Sequence, residues 1–423
     1  MRLSTSLMYS ISAATMTNKQ KDMSQLYQQI AQGKRVLRPG DDPLAASLAI
    51  NVSQSQAVNT QYGKNRDVAE RNLQTSLEAL DSVYSSLTTV STKLVNAGNG
   101  SLSPSDLRSL SAELKEVYAS LYTQANATDG NGHYIFSGNQ GQTPAYEVQN
   151  GWVVGDYQGG NQPRTIQVDQ TRQMPSSNLG SEIFERANPG SRGVVATVAT
   201  GAGTANSTLV AGHPVLPSGG ATNNNTYTVV LDSVAGTYDV RQADGTTSVV
   251  PPISGAYDAS TGVTVTLPNN VKIQLEGEPG SGGTGNDVVT VAPIVSSDVD
   301  MNMFTTLKKA IDALDQVDTD DAASVAVFRN AMNEAGAKLS NNFDNVLTIR
   351  ASIGARMNEL TALDTNSNLR ALSYSAQMTS LEGSSEMDMV EMYSMLLFQS
   401  NAFEASMLAF QRIQGLSLLN SQR

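Results

Sequence analysis

Long helical repeats of apolar residues lie at both ends of this sequence, and a middle region of different character separates them. From the start to about Asn126 the chain is rich in Leu, Ser, Gln and Ala, and a similar pattern returns from Asp300 to Arg423. From Asp129 to Asp298, Gly, Thr, Val, Asn and Pro predominate instead. A strand-rich segment between two helical arms indicates an insertion. We therefore predict a mainly α fold with an inserted β domain.

The apolar residues of both arms alternate spacings of four and three, which is the pattern of a heptad seam. In the N-terminal arm the seam consists of Leu73, Leu77, Leu80, Tyr84, Leu87, Ser91 and Leu94. In the C-terminal arm it consists of Met389, Tyr393, Leu396, Ser400, Phe403, Met407 and Phe410. A helix of about 30 residues is about 45 Å long, so a compact globule does not bury such seams. We predict that the two arms pair, antiparallel, as a coiled-coil rod.

This pairing predicts three structural regions. Residues 1–40 and 385–423 form a terminal helical coiled-coil domain, residues 41–128 and 300–384 form a helical rod domain, and residues 129–299 form a β-rich outer domain. Ser103, Pro104 and Asp106 mark a helix start, since a Ser cap, a Pro at the first position and an acid in the first turn all favour one. Asp42 before Pro43 and the acids of 318–321 are also predicted to cap helices.

The middle region contains short runs of β-branched residues separated by turn residues. The candidate strands are Trp152–Val154, Thr165–Val168, Tyr227–Leu231, Tyr238–Val240, Val263–Leu267, Val271–Leu275 and Val288–Val291. Asp244-Gly245 is a hairpin-turn signal. This pattern predicts a β module built largely from small residues.

Composition argues against most catalytic chemistry. The chain has no Cys, which excludes disulfides, thiolate metal sites and cysteine nucleophiles, and it has only two His, at positions 133 and 213. The net charge of −12 makes nucleic acid or anionic lipid a poor partner. The glycines of 280–285 match a dinucleotide-binding pattern but precede a predicted strand, not a helix. We predict no enzyme activity, no cofactor, no metal, no nucleic-acid partner and no membrane insertion.

Three segments together resemble the bacterial flagellin superfamily. The first runs from Leu26 to Val36 (LYQQIAQGKRV) and continues as Arg38-Pro39-Gly40-Asp41-Asp42-Pro43-Leu44-Ala45-Ala46; the second is 401–406 (NAFEAS) followed by 413–418 (IQGLSL). The third, 132–138 (GHYIFSG), precedes the β region. This third motif and the Asp-Asp-Pro sequence are more similar to the members that join hook and filament than to flagellin itself.

The resemblance implies a structural role in the flagellum, outside the cell, after export through the flagellar type III apparatus without a cleaved signal peptide. It implies paired terminal helices on the inside of a tube. The implied partners are further copies of the chain in a ring, the hook-side junction protein (hook-associated protein 1), flagellin and a flagellar type III export chaperone.

The terminal helices and the turn after the first of them are the predicted partner interface. Its residues are Leu3, Leu7, Ile11, Met23, Leu26, Ile30, Arg35, Asp41, Asp42, Tyr393, Leu396, Phe403, Met407, Phe410, Ile413 and Leu416. We expect these seams to order fully only when neighbouring subunits cover them. Three alternatives stay open from sequence: a flagellin filament subunit, a surface adhesin that acts through the β domain, and an enzymatic role of the inserted domain. The lack of paired His and of metal-ligand spacing in the insert argues against the third.

Overall fold

The computed structural model describes residues 5–98, 102–199, 206–219, 225–280, 286–297 and 299–421. Its helices are α1 (Thr5–Gln32), α2 (Pro43–Ala97), α3 (Pro104–Ala125), α4 (Met303–Gln316), α5 (Ala322–Glu382) and α6 (Glu386–Ser421), with a one-turn π-helix at Ser181–Glu185. Together with the β region between α3 and α4, they confirm the predicted fold class: mainly α, with long terminal helices and an inserted β-rich region.

The strands form four antiparallel sheets. They are β1 (Glu147–Gln149), β2 (Trp152–Val154), β3 (Thr165–Asp169), β4 (Arg172–Pro175), β5 (Val194–Ala199), β6 (Val210–Ala211), β7 (Tyr227–Asp232), β8 (Thr237–Gln242), β9 (Ser254–Ala256), β10 (Val263–Thr266), β11 (Lys272–Glu276) and β12 (Asp287–Pro293). One sheet has the order β5-β12-β7-β8-β9 and another β10-β11-β6, while β1-β2 and β3-β4 are separate hairpins. All seven predicted strands are present, whereas β1, β4, β5, β6 and β9 were not predicted.

The chain divides into two compact units. The first contains Met1–Arg66, Val168–Gln170 and Thr361–Arg423, and the second contains Asp67–Gln167 and Thr171–Leu360. Both boundaries in the helical arms fall inside α2 and α5. The division into three regions made from the sequence stays a prediction.

In the second unit, the seam on α2 differs from the predicted one at alternate positions. The buried residues of this part of α2 are Ala69, Leu73, Ser76, Ala79, Leu80, Val83, Leu87, Val90, Leu94 and Ala97. The prediction was therefore right at Leu73, Leu80, Leu87 and Leu94, and wrong where it chose Leu77, Tyr84 and Ser91 instead of the preceding residue. Tyr84 lies at the edge of the seam, where its ring centroid is 4.5 Å from that of Phe343. Large side chains flank this seam, and the smaller Ser76, Val83 and Val90 fill it.

The β region of the second unit has one main apolar core. The five-stranded and three-stranded sheets share this core, with Val229, Leu231, Val265, Ile273 and Val289 fully buried. Since every second residue of a strand faces the same side, these valines and leucines point inward from both sheets.

A row of asparagines on α5 hydrogen-bonds the backbone of the inserted region. The row consists of Asn330, Asn333, Asn341, Asn342 and Asn345. For example, Asn330 accepts from the Ala211 amide at 2.9 Å and donates to the Leu209 carbonyl at 2.8 Å. Asn345 donates to the Glu182 carbonyl at 2.8 Å. These bonds pair backbone groups at β6 and in the π-helix.

The predicted helix caps are confirmed. The Ser103 hydroxyl accepts from the Asp106 amide at 3.3 Å, and the Asp106 carboxylate accepts from the Ser103 amide at 3.0 Å. The Ser103 hydroxyl also donates to the Asp106 carboxylate at 2.7 Å, and this bond, together with the one from the Ser103 amide, holds the pKa of Asp106 below its usual range. Asp321 caps α5 by accepting from the amides of Ala323 and Ser324. The Gly-rich pattern at 280–285 precedes strand β12 and no helix, and its residues 281–285 lie outside the described residues.

Candidate functional site

Helices α1 and α6 of the first unit pack antiparallel. Near one end of the pair, the Tyr9 and Phe410 rings lie 5.1 Å apart. Further along, the Lys19 ammonium donates to the Gln399 side chain at 3.1 Å. A residue early in α1 therefore contacts one late in α6, and a later residue of α1 contacts an earlier one of α6. The predicted pairing of the two ends of the chain is present.

This helix pair leaves much of its apolar surface uncovered. Among the side chains described on α1 and α6, only Gln29 and Met392 are buried. Large apolar side chains are exposed on both helices: Leu7, Tyr9, Ile11, Tyr27, Met387, Val390, Tyr393, Met395, Leu397, Phe398, Met407 and Leu408. Leu397 and Phe398 are 67% and 71% exposed. Many exposed large apolar side chains on one pair of helices are typical of a protein-interaction face.

The predicted interface residues lie on these elements with different degrees of exposure. Leu7, Ile11, Tyr393 and Met407 are exposed, and so is Asp41 in the turn. The half-buried ones are Met23, Leu26, Ile30, Arg35, Asp42, Leu396, Phe403 and Phe410. Leu3 lies outside the described residues, and the side chains of Ile413 and Leu416 are also outside them. Their role in partner contacts stays a prediction.

The turn between α1 and α2 is held against the turn between α5 and α6. Gly33 ends α1 with a φ of 65°. The Arg35 amide then donates to the Glu382 carbonyl at 2.9 Å, and the Val36 amide donates to the same oxygen at 3.1 Å. The Lys34 ammonium lies 2.8 Å from the Glu382 carboxylate. We call residues 33–42 and 382–388 the joint.

Asp41 and Asp42 fix the first half of the joint. Asp41 accepts from the Leu37 and Arg38 amides, both at 3.0 Å. Asp42 accepts from the Ala45 amide at 3.1 Å and so caps α2, as predicted. This backbone hydrogen bond, with the Arg35 guanidinium 3.4 Å away, holds the pKa of Asp42 below its usual range. Both carboxylates therefore accept hydrogen bonds from backbone amides of the turn and of the helix start that follows it.

Gly383 fixes the second half. Its φ is 62°, and a Cβ placed there would lie 2.5 Å from the Arg35 Cβ. Directly after it, the Ser385 hydroxyl accepts from the Asp388 amide at 3.2 Å while Asp388 accepts from the Ser385 amide at 3.1 Å, which starts α6. The bonds from Ser385 lower the pKa of Asp388. The sequence analysis missed this half, although Gly followed by Ser-x-x-Asp is a helix-stop and helix-start signal.

A second group of residues missed by the sequence analysis lies deeper in the first unit. The Arg66 side chain is 2% exposed, and its Nε donates to Asp364 at 2.5 Å while its Nη1 donates to the Val168 carbonyl at 2.9 Å. The Arg370 guanidinium reaches both carboxylate oxygens of Asp169, at 2.7 and 3.3 Å. Two arginines from α2 and α5 thus bind consecutive residues at the end of β3. A single Arg within a helix carries no sequence signal for such a contact.

The described part of the chain contains no group of three or more His, Cys, Asp or Glu side chains arranged to hold a metal ion. In the same residues, no helix is long and apolar enough to cross a membrane. His133 and His213 have different neighbours: His133 lies 3.5 Å from Asp129, whereas the His213 ring would lie 3.6 Å from a Cβ added at Gly336 on α5. The candidate site is the apolar helix pair and its joint.

Comparison with known proteins agrees with this geometry. The family described as the bacterial flagellin N-terminal helical region matches residues 3–141, which include α1, the first half of the joint and α2. Over 429 residues the chain is 28% identical to flagellar hook-associated protein 3 of Salmonella typhimurium, with 100% of both chains covered. The chain is therefore similar to a flagellar protein along its whole length, and to flagellins in its N-terminal helical region. Its 28% identity to flagellar hook-associated protein 3 of Escherichia coli extends over 418 residues, 99% of this chain and 98% of that one.

The fold of this chain is also found in solved structures. The crystal structure of flagellar hook associated protein-3 from Legionella pneumophila covers 78% of this chain and 98% of its own, with a TM-score of 0.65 at 20% identity. At that identity the similarity establishes the shared fold.

Proposed function

We propose that this chain is a structural subunit of the bacterial flagellum that joins the hook to the filament. The observation that carries the proposal is the similarity to hook-associated protein 3 along the whole chain, inserted region included. The flagellin-family match, in contrast, covers residues 3–141 alone. Full-length similarity favours the junction role over that of a filament subunit.

The mechanism we propose is assembly-coupled folding of α1 and α6. Apolar surface gains about 25 cal/mol per Å² when it is removed from water, whereas ordering the backbone costs about 1–2 kcal/mol per residue. In the isolated pair, side chains such as Leu397 and Phe398 stay largely in water, so the burial contribution is incomplete. Neighbouring subunits that cover these side chains supply the missing contribution.

The partners follow from the same proposal. Copies of the chain form a ring, the hook-side junction protein contacts one face of it, and flagellin contacts the other. Before assembly, a flagellar export chaperone covers the exposed apolar side chains, and the chain leaves the cell through the flagellar export apparatus without a cleaved signal. No catalytic role is proposed.

A deletion strain tests this function. Loss of the gene is expected to leave hooks intact while flagellin appears unpolymerised in the medium, and the wild-type gene is expected to restore filaments. The double variant Leu397→Ser with Phe398→Ser should fail to restore them, although it is secreted. Val234→Ser is the matched control, because Val234 is 96% exposed but lies in the β region.

Two results would contradict the proposal. If purified wild-type protein polymerises alone into long filaments, the chain is a filament subunit. If the Leu397/Phe398 variant restores filaments as well as the Val234 variant does, the apolar surface of α6 has no part in assembly.

A further inference from the structure

The turn between β1 and β2 contains an asparagine followed by a glycine, and both residues are accessible to solvent. Asn150 and Gly151 join the paired residues Gln149 and Trp152. Both turn residues have positive φ, 53° and 81°, as a two-residue type I′ turn requires. Both are exposed to solvent.

An asparagine side chain deamidates when the backbone nitrogen of the next residue attacks its amide carbon. The new bond closes a five-membered succinimide, and ammonia leaves. Water then opens the ring at either carbonyl, which gives aspartate or isoaspartate. Glycine in the following position favours the attack because it has no Cβ to hinder it.

The hairpin that carries Asn150 has low local stability and is expected to open. β1 and β2 have three residues each and pair only with one another, and all of β1 is exposed. A two-stranded sheet of this size is marginally stable by itself. Its attachment to the rest of the unit is through β2, where the Val153 amide donates to the Tyr118 hydroxyl at 2.9 Å. Local opening releases the turn and lets the Gly151 nitrogen reach the side chain of Asn150.

Another Asn-Gly pair, Asn131-Gly132, lies in a turn that hydrogen bonds hold in place. The Gly132 amide donates to the Asp129 carbonyl at 3.0 Å, so the attacking nitrogen next to Asn131 is already engaged. The Asp129 carboxylate also accepts from the amides of Asn131 and His133, both at 2.9 Å. Three hydrogen bonds to one aspartate therefore restrict this turn.

From this contrast we infer that Asn150 is a site of spontaneous deamidation in the folded protein, and that Asn131 is protected. Isoaspartate at position 150 adds a carbon to the main chain, which a two-residue turn does not accommodate, and it adds a negative charge. The adjacent Trp152 is the only tryptophan of the chain. Its ring packs 4.8 Å from that of Tyr118 and 5.2 Å from the Lys308 ammonium. Its fluorescence therefore reports on the hairpin.

The test is to age the purified full-length protein at mildly alkaline pH and to follow each Asn-Gly peptide by mass spectrometry after proteolysis in mild acid. The peptide with Asn150 should gain the mass of an amide-to-acid conversion faster than the peptide with Asn131, and Trp152 emission should shift in parallel. In urea, where both turns are unfolded, the two rates should become equal. Asn150→Gln, whose longer side chain closes the ring poorly, should abolish both the mass gain and the emission shift.

Two outcomes would overturn the inference. The first is conversion of Asn131 in the folded protein as fast as or faster than that of Asn150. The second is an Asn150 peptide that stays unmodified in the folded protein while both peptides convert in urea.

Discussion

The joint makes a quantitative prediction for Gly383→Ala. The alanine would adopt a φ of 62°, which costs a non-glycine residue about 1–2 kcal/mol. Its Cβ would also lie 2.5 Å from the Arg35 Cβ and 2.8 Å from the Arg35 Nε. Because a Cβ is fixed to the main chain, the backbone at Arg35 must move away.

That movement breaks the two amide bonds from Arg35 and Val36 to the Glu382 carbonyl. Each contributes about 1 kcal/mol net. The joint should therefore lose about 3–4 kcal/mol in total.

Gly33→Ala is the matched control. Gly33 has nearly the same φ, 65°, but nothing lies within 4 Å of the position of its Cβ. Alanine there should cost only the backbone contribution, about 1–2 kcal/mol. Native-state hydrogen exchange of the Arg35 and Val36 amides measures the difference, which we expect to be about 2 kcal/mol, or about thirtyfold in the opening equilibrium. Equal exchange in the two variants would refute the packing argument.

Three further predictions concern the second unit and the buried arginine. Leu80→Ala should lower the free energy of unfolding by about 2–5 kcal/mol. Leu77→Ala should lower it by less than half as much, since only Leu80 is fully buried. Equal losses of unfolding free energy in urea titrations would mean that Leu77 belongs to the seam, as the sequence predicted. Burial raises the pKa of Glu185, so the wild type loses stability as pH rises from the ordinary carboxyl pKa of about 4 through the raised one, and Glu185→Gln should gain in melting temperature relative to it over that rise; a constant difference would contradict this. Arg66→Met should cost about 2–3 kcal/mol and speed amide exchange at 165–170, because the Val168 carbonyl loses its donor; unchanged exchange there would show that Arg66 does not hold the end of β3.

Local signals were sufficient for many elements of this fold. Ser103 with Asp106, Asp42 and Asp321 all cap helices as the sequence predicts, because a cap needs only residues three or four positions apart. The central strands were predicted for the same reason: alternation of β-branched residues is visible within one segment.

Features that depend on distant partners could not be read from the sequence. The α2 seam was placed on Leu77 and Tyr84 because they continue the alternating spacing of four and three, but Ser76 and Val83 are the buried residues. In the joint, the turn containing Arg35 was predicted, while its contact with Glu382 required knowing which turns meet. The Arg66 contact with Val168 joins residues 102 positions apart and was missed for the same reason.

The antiparallel pairing of α1 with α6 also determines the order in which the molecule can form. Lys19 and Gln399 touch across 380 positions of sequence, so this is among the most non-local contacts in the chain, and closing so large a loop is slow. Helix α1 is thus synthesised before the other described helices, whereas its partner α6 is synthesised after them. A polypeptide whose synthesis stops before α6 leaves α1 without its partner helix, even when the other elements have folded.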